Sequence, residues 1–225
     1  MKVYTMPISQ PARALAWACA LEGTQLEEVQ VMPGKDTRSE EYKKQGAIPA
    51  VPRLDDNGFI LNESHAIMAY LGDKFQWKLY PTDPQVRARV HQYMNWHHGN
   101  CRNITMALFA PIMRPDLPIT KEMAQQRKKE IAGTLQTLER WLGENEWLCG
   151  PSPTVADLSC YCEVGQCLPK FTGLFEVNGI QLTGYPKLLK WLDNCEKLPG
   201  FEQTHAALKQ IGPNIRKKAE KVSKL

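Results

Sequence analysis

The chain changes texture once, and that change constrains its architecture more than any other feature. Up to residue 75, short β-like runs alternate with helical ones; beyond residue 85 every periodic segment is helical. Between them stands Gln76-Trp77-Lys78-Leu79-Tyr80-Pro81-Thr82-Asp83-Pro84-Gln85, whose prolines interrupt either pattern. A uniform all-α or all-β fold is therefore excluded. The reading that follows has a compact α/β unit over 1–76, a connector over 77–85, an all-helical unit over 86–208 and a basic tail over 209–225.

Within the first unit, Lys2–Met6 and Glu27–Val31 read as strands flanking a helix over Pro11–Glu22. Pro49–Leu54 and Phe59–Asn62 flank Asp55-Asp56-Asn57-Gly58, residues suited to a hairpin turn, and Ser64–Phe75 reads as a closing helix. In the second unit, Thr154-Val155-Ala156-Asp157 has the spacing of a capping box opening an apolar helix. The prolines of Pro111-Ile112-Met113-Arg114-Pro115-Asp116-Leu117-Pro118 break the helical pattern.

Composition removes several function classes. With 43% hydrophobic and 23% charged residues the chain can bury a core, so disorder is excluded. No apolar run is long enough for a membrane helix, and the opening Met-Lys-Val-Tyr-Thr-Met-Pro meets proline before any export-type apolar stretch. The net charge of +4 is concentrated: residues 209–225 carry +5 and the body −1. That distribution lacks the footprint of a nucleic-acid binder. Seven cysteines at irregular spacing indicate buried free thiols in a reducing compartment, and Cys160, Cys162 and Cys167 lack metal-ligand spacing.

Three places could carry chemistry. Ser9 sits where the first strand turns into the first helix, so its hydroxyl could cap the helix or donate to a bound thiolate. Val51-Pro52 precedes a strand and could present the Val51 backbone to a peptide-like ligand. Ser64, after Glu63, opens another helix and suits a carboxylate there, or simply a cap. Arg102 reads equally as a surface ion pair or a site residue, and Trp96, Met106 and Phe109 as pocket or core. His97 and His98 are adjacent and diverge on a helix.

Taken in order, Ser9-Gln10-Pro11-Ala12-Arg13, Val51-Pro52, Glu63-Ser64-His65-Ala66-Ile67, Tyr80-Pro81 and Arg87-Ala88-Arg89-Val90 resemble the glutathione transferases, in particular the theta class in its plant form. Trp96-His97-His98, Arg102, Ala156-Asp157-Leu158 and Tyr185-Pro186-Lys187-Leu188 continue the resemblance over almost the whole chain. It implies a thioredoxin-like glutathione-binding domain followed by an all-helical, electrophile-binding domain. It further implies Ser9 as the residue activating the glutathione thiol (with Tyr4 as rival), Val51 anchoring the cysteinyl part, and Glu63 and Ser64 holding the γ-glutamyl end. Thr37 stands where animal theta proteins usually carry a histidine for the glycyl end, and Ala50 where a lysine normally precedes Val-Pro. Arg38 or Lys35 is then the expected substitute. Arg102, with Trp96 and Met106, is implied at the electrophile site.

The resemblance implies glutathione as co-substrate with no metal or resident cofactor, and attack on small hydrophobic electrophiles or organic hydroperoxides. It also implies a homodimer. The alternative, supported by Thr37 and Ala50, is a catalytically silent interaction module of the same fold. Finally, Ser223-Lys224-Leu225 matches the tripeptide read by the peroxisomal import receptor, on a tail expected to be mobile.

Overall fold

The computed structural model describes residues 1–46, 48–143 and 145–222. Strands β1 (Lys2–Thr5), β2 (Glu27–Gln30), β3 (Arg53–Asp56) and β4 (Phe59–Asn62) form one mixed sheet in the order β2-β1-β3-β4. β1 and β2 are parallel and joined by helix α1 (Gln10–Leu21), the crossover that parallel neighbours require. β3 is antiparallel to both β1 and β4. The hairpin turns at Asn57-Gly58, whose φ values of 55° and 94° match the twist of the flanking strands. The third strand begins later than its expected Pro49 because Pro49 and Pro52 have no N–H for the ladder. The irregular stretch before it holds α2 (Glu40–Gln45), and α3 (Ser64–Phe75) closes the unit.

The second unit comprises α4 (Pro84–Gly99), α5 (Arg102–Ile104), α6 (Ala110–Met113), α7 (Lys121–Leu142), α8 (Val155–Val164), α9 (Leu174–Val177), α10 (Pro186–Glu196) and α11 (Phe201–Val222). A π-helical turn, Thr105–Phe109, links α5 to α6. The thioredoxin-like unit followed by an all-α unit is the expected fold class. Every residue of α8 is buried, as a helix at the centre of a bundle must be. The capping box forms in full, and Asp157 also accepts hydrogen bonds from Leu148 N and Trp191 Nε1, both at 2.9 Å.

Two expectations change. The connector is not a loose linker: Trp77, Leu79 and Tyr80 are buried, Leu79 N donates to Glu22, and Leu79 O accepts from Val155 N. Nor is 209–222 a mobile tail. It continues α11, because Leu208, Gly212, Ile215 and Ala219 form a buried stripe that the lysine count obscures. Gly212 lies so close to the Phe171 carbonyl that a Cβ would sit 2.3 Å from its oxygen. Ser223, Lys224 and Leu225 lie outside the described residues. No helix among the described residues is long and apolar enough to cross a membrane.

The two units meet mainly along α1 and α8. Arg13, almost wholly buried, donates to Ile8 O and to Cys162 O, and the Trp17 ring stands edge-on to Tyr161 at 5.6 Å. This seam fixes the start of α1 against the helical unit, and the candidate site lies on its rim.

Candidate active site

A cavity of about 500 Å³ opens between the two units. Its α/β side is formed by the turns 8–11, 32–35 and 49–51, and its helical side by Arg102 and residues from Thr105 to Leu117. A second cavity of about 240 Å³ adjoins it, walled by Glu63, Ser64, His65, His97, His98 and Glu163. Pro11, Ala50, Val51 and Arg102 line both. The pair is therefore one composite site with a mostly apolar lobe and a polar lobe.

Ser9 occupies the N-cap position of α1 with extended backbone (φ −71°, ψ 126°), yet its side chain makes no capping hydrogen bond. The hydroxyl stands on the wall of the larger cavity at the positive end of the helix. Position and freedom together separate Ser9 from an ordinary cap such as Ser39, whose Oγ accepts from Tyr42 N at 3.1 Å. Tyr4 packs its ring edge against Tyr42 at 5.8 Å and lines neither cavity.

Val51–Pro52 is a cis peptide bond. The preceding segment is pinned by side chains: Tyr42 OH donates to Ala50 O at 2.7 Å, and Arg53 donates to Tyr42 O, Gly46 O and Ile48 O. Glu63 adopts φ 70° immediately before α3, a region a non-glycine residue occupies only under constraint, and Ser64 starts the helix, largely buried.

The substitutes for the glycyl-end residue separate clearly. Thr37 is buried, and its hydroxyl accepts from Gly34 N at 3.0 Å; it lines neither cavity. Arg38 is engaged with Asp116, donating to its carbonyl at 3.1 Å. Lys35 does line the larger cavity. On the helical side Met106 and Phe109 line it as well, whereas Trp96 packs on Trp141 at 5.3 Å, away from the cavity. Arg114 donates twice to Asp116 and holds its carboxyl below the usual range.

The sequence reading passed over the residue beneath Arg102. Glu163 is buried in α8; its Oε1 accepts from Arg102 Nη1 at 2.8 Å and lies 3.7 Å from His97 Nε2, while Oε2 accepts from Thr105. Burial acts to raise its pKa, but Arg102, His97 and Thr105 override that effect and bring it down to about 2, so it is a carboxylate at neutral pH. The Thr105 hydroxyl also accepts from Gln10 and Gln166, and Gln10 Oε1 accepts from Arg102 at 3.3 Å. A polar chain thus runs from α8 to the residue beside Ser9. A single acid in the apolar run Cys160-Tyr161-Cys162-Glu163-Val164 was the available signal, since a buried charge demands a partner.

His97 and His98 do not diverge as expected: both rings reach His65, whose centroid is 4.8 and 5.0 Å from theirs. Burial, aided by the neighbouring imidazoles, pushes His65 down to about 3. Its Nε2 pairs with Ser159 Oγ at 3.1 Å. Among the described residues no group of three His, Cys, Asp or Glu side chains is arranged to hold a metal ion. All seven cysteines are buried free thiols.

This geometry is a two-unit cleft with a free hydroxyl at a helix start, a backbone edge before a proline and a second helix N-terminus. The family model described as Glutathione S-transferase, N-terminal domain, matches residues 3–81, and that of the Glutathione S-transferase C-terminal domain matches residues 101–199. The chain belongs to the glutathione S-transferase family.

Its curated relatives carry theta-class names. Glutathione S-transferase T1 of Arabidopsis thaliana is 32% identical over 237 residues, covering 98% of this chain and 94% of the relative. Glutathione S-transferase theta-2 of Rattus norvegicus is 30% identical over 231 residues, covering 98% and 91%. Among solved structures, the apo form of human glutathione-S-transferase T1-1 superposes with a TM-score of 0.78 at 28% identity, covering 99% of this chain and 97% of that one.

Proposed function

We propose that this enzyme activates the glutathione thiol with Ser9, attacks apolar electrophiles in the larger cavity, and reduces organic hydroperoxides by the same thiolate. The observation that carries the reading is the Ser9 hydroxyl: unengaged by its own helix, on the cavity wall, with Arg102 lining the same cavity.

A thiol of ordinary pKa is only about 3% ionised at pH 7. Lowering that pKa by about two units needs roughly 2.7 kcal/mol of preferential stabilisation, which a charge-assisted hydrogen bond at a helix N-terminus can supply. Ser9 O–H donates to the sulfur; Arg102 offers a cation to the departing anion. With a peroxide, the thiolate attacks the terminal oxygen, the O–O bond breaks, and the departing alkoxide takes up the proton the thiol released, giving an alcohol and a glutathione sulfenic acid. A second glutathione thiol then forms the disulfide and releases water. Glu63 and Ser64 hold the γ-glutamyl end in the polar lobe, Val51 the cysteinyl backbone, and Lys35 faces the glycyl carboxylate.

Retention on immobilised glutathione, with elution by free glutathione, tests the binding half. Glutathione-dependent conjugation of an aryl halide and reduction of cumene hydroperoxide test the catalytic half. Binding without either turnover would favour the silent interaction module. We also propose a homodimer, for which light scattering at micromolar concentration should return twice 25.6 kDa. Peroxisomal import through Ser223-Lys224-Leu225 is the proposed location. An amino-terminal fluorescent fusion should be punctate, and deletion of the tripeptide should disperse it.

A further inference from the structure

The deepest charge at the site belongs to neither glutathione's expected contacts nor the cavity's apolar wall. Glu163 is almost wholly buried, its two oxygens are both occupied, and its strongest partner is Arg102, a residue that lines both lobes. Among the described residues, Arg102 hydrogen bonds leave only from Nη1, toward Glu163 and Gln10. Nη2 and Nε are left unengaged on a side chain that is one-third exposed. A guanidinium is a planar fork, so fixing one arm fixes the direction of the others.

We propose that Glu163 is a positioning residue for the transferase reaction: it anchors one arm of Arg102 so that the remaining N–H groups meet the glutathione sulfur or the leaving group. This rests on the reading that Arg102 serves the reacting groups in the cleft, the departing anion first among them. Two features argue for positioning over a plain ion pair. First, Thr105 completes the carboxylate and receives Gln10, so the anchor is tied to the chain segment that carries Ser9. Second, His97 closes the remaining side at 3.7 Å and is itself held by Tyr93 OH at 2.9 Å, so the carboxylate has little freedom to turn. The charged and titratable groups around it are Arg102 and His97, the buried thiols of Cys162 and Cys167, His65 and His98 beyond them in the same cavity, and Arg13 on α1 reaching the neighbouring Cys162 carbonyl.

The test is a double-mutant cycle on the full-length enzyme, using Glu163→Ala and Arg102→Ala singly and together. Misplacing a catalytic group by about an ångström costs on the order of 10- to 100-fold, so Glu163→Ala should lower kcat by that much while KM for glutathione stays within about twofold. In the Arg102→Ala background the same substitution should change kcat less than about twofold, because its route of action is gone. Equal losses in both backgrounds would make Glu163 a structural residue and overturn the proposal. So would an Arg102→Ala variant with unchanged turnover.

Where Glu163→Ala fails to fold, Glu163→Gln provides the second measurement. It keeps an acceptor for Arg102 but deletes the negative charge that offsets the guanidinium, so the thiolate absorbance of bound glutathione should titrate at lower pH. An unmoved midpoint would count against Glu163 acting through the site. Ser9→Ala stands outside the cycle, so failure of the serine assignment and failure of this proposal give different results.

Discussion

Ser9→Ala is the sharpest perturbation because the structure separates its two plausible effects. The hydroxyl makes no capping bond, so removing it should cost less than about 0.5 kcal/mol of stability. Ser39→Ala, which deletes a real cap to Tyr42 N, should cost about 1 kcal/mol and serves as the calibrating control. The catalytic effect should be larger. A hydrogen bond to a charged acceptor contributes about 1.5–3 kcal/mol, equivalent to raising the bound thiol's pKa by roughly one to two units. With the bound thiol starting at about 6.5, that rise takes it from about 76% ionised at pH 7 to about 24–3%, so turnover should fall roughly 3- to 25-fold, and the acid limb of kcat should move to higher pH by the same one to two units. Near pH 9 the variant should regain much of the lost rate, because hydroxide then does what the hydroxyl did. The contacts proposed for glutathione at Val51, Glu63 and Ser64 are untouched, so KM for glutathione should stay within about twofold. The assays are initial rates across pH and ultraviolet titration of bound glutathione. A variant with normal turnover and an unmoved acid limb would refute the assignment and leave backbone donors of the α1 start as the alternative.

Asp157→Ala removes the acceptor for Leu148 N, Trp191 Nε1 and both polar atoms of Thr154, so urea unfolding should show a loss of about 3–5 kcal/mol. A loss under about 1 kcal/mol would mean the box is dispensable. Lys35→Ala should raise KM for glutathione roughly three- to tenfold with little change in kcat, since it removes binding energy present equally in ground and transition states. Thr37→Ala, whose hydroxyl is spent on Gly34 N, should leave KM alone. Stability should fall steeply in acid. His65 and His205 are both pushed by burial to about 3 in the folded chain, so between pH 6.5 and 3 the unfolded state binds protons that the folded state does not. Each contributes stability that is full above pH 6.5 and drains as pH falls, together up to about 2.7 kcal/mol per pH unit. Glu163 adds a loss of the same sign between pH 4.5 and 2. A flat denaturation midpoint from pH 7 to 5 would contradict this.

The fold was legible wherever local chemistry dictates geometry. Asn57-Gly58 can hardly be other than a tight hairpin turn, and Thr154 with Asp157 announces a helix start that the structure makes in full. Reading failed where an element depends on what lies across the chain. The connector looks polar by composition, yet Trp77, Leu79 and Tyr80 anchor it because Glu22, Thr24 and Val155 offer partners distant in sequence. The end of α11 looked like a solvated basic tail, because six cations in seventeen residues hide a stripe set by only four. At the site the same division holds. Ser9, Val51, Glu63 and Ser64 sit at turns and helix starts, which local sequence marks; Thr37 and Trp96 are implied at the site only by the family resemblance, and their side chains find partners elsewhere.

Glu163 was the hardest to see, and physical reasoning explains why its presence matters. A buried ion pair recovers little or none of its desolvation cost, and apolar replacements of similar volume are often as stable or more so. Packing alone would be served as well by leucine in a helix whose neighbours are Cys160, Tyr161, Cys162 and Val164. Stability therefore does not account for a carboxylate at this position. What the carboxylate supplies, and leucine could not, is a fixed direction for the guanidinium of Arg102 and an acceptor that orders Thr105 and, through it, Gln10. The α/β unit contributes the hydroxyl and the peptide edge; the helical unit contributes the cation and the apolar wall. On the proposed reading these groups must hold a common geometry, and the Glu163 network joins the Arg13–Cys162 and His65–Ser159 hydrogen bonds in spanning the two units beside the site.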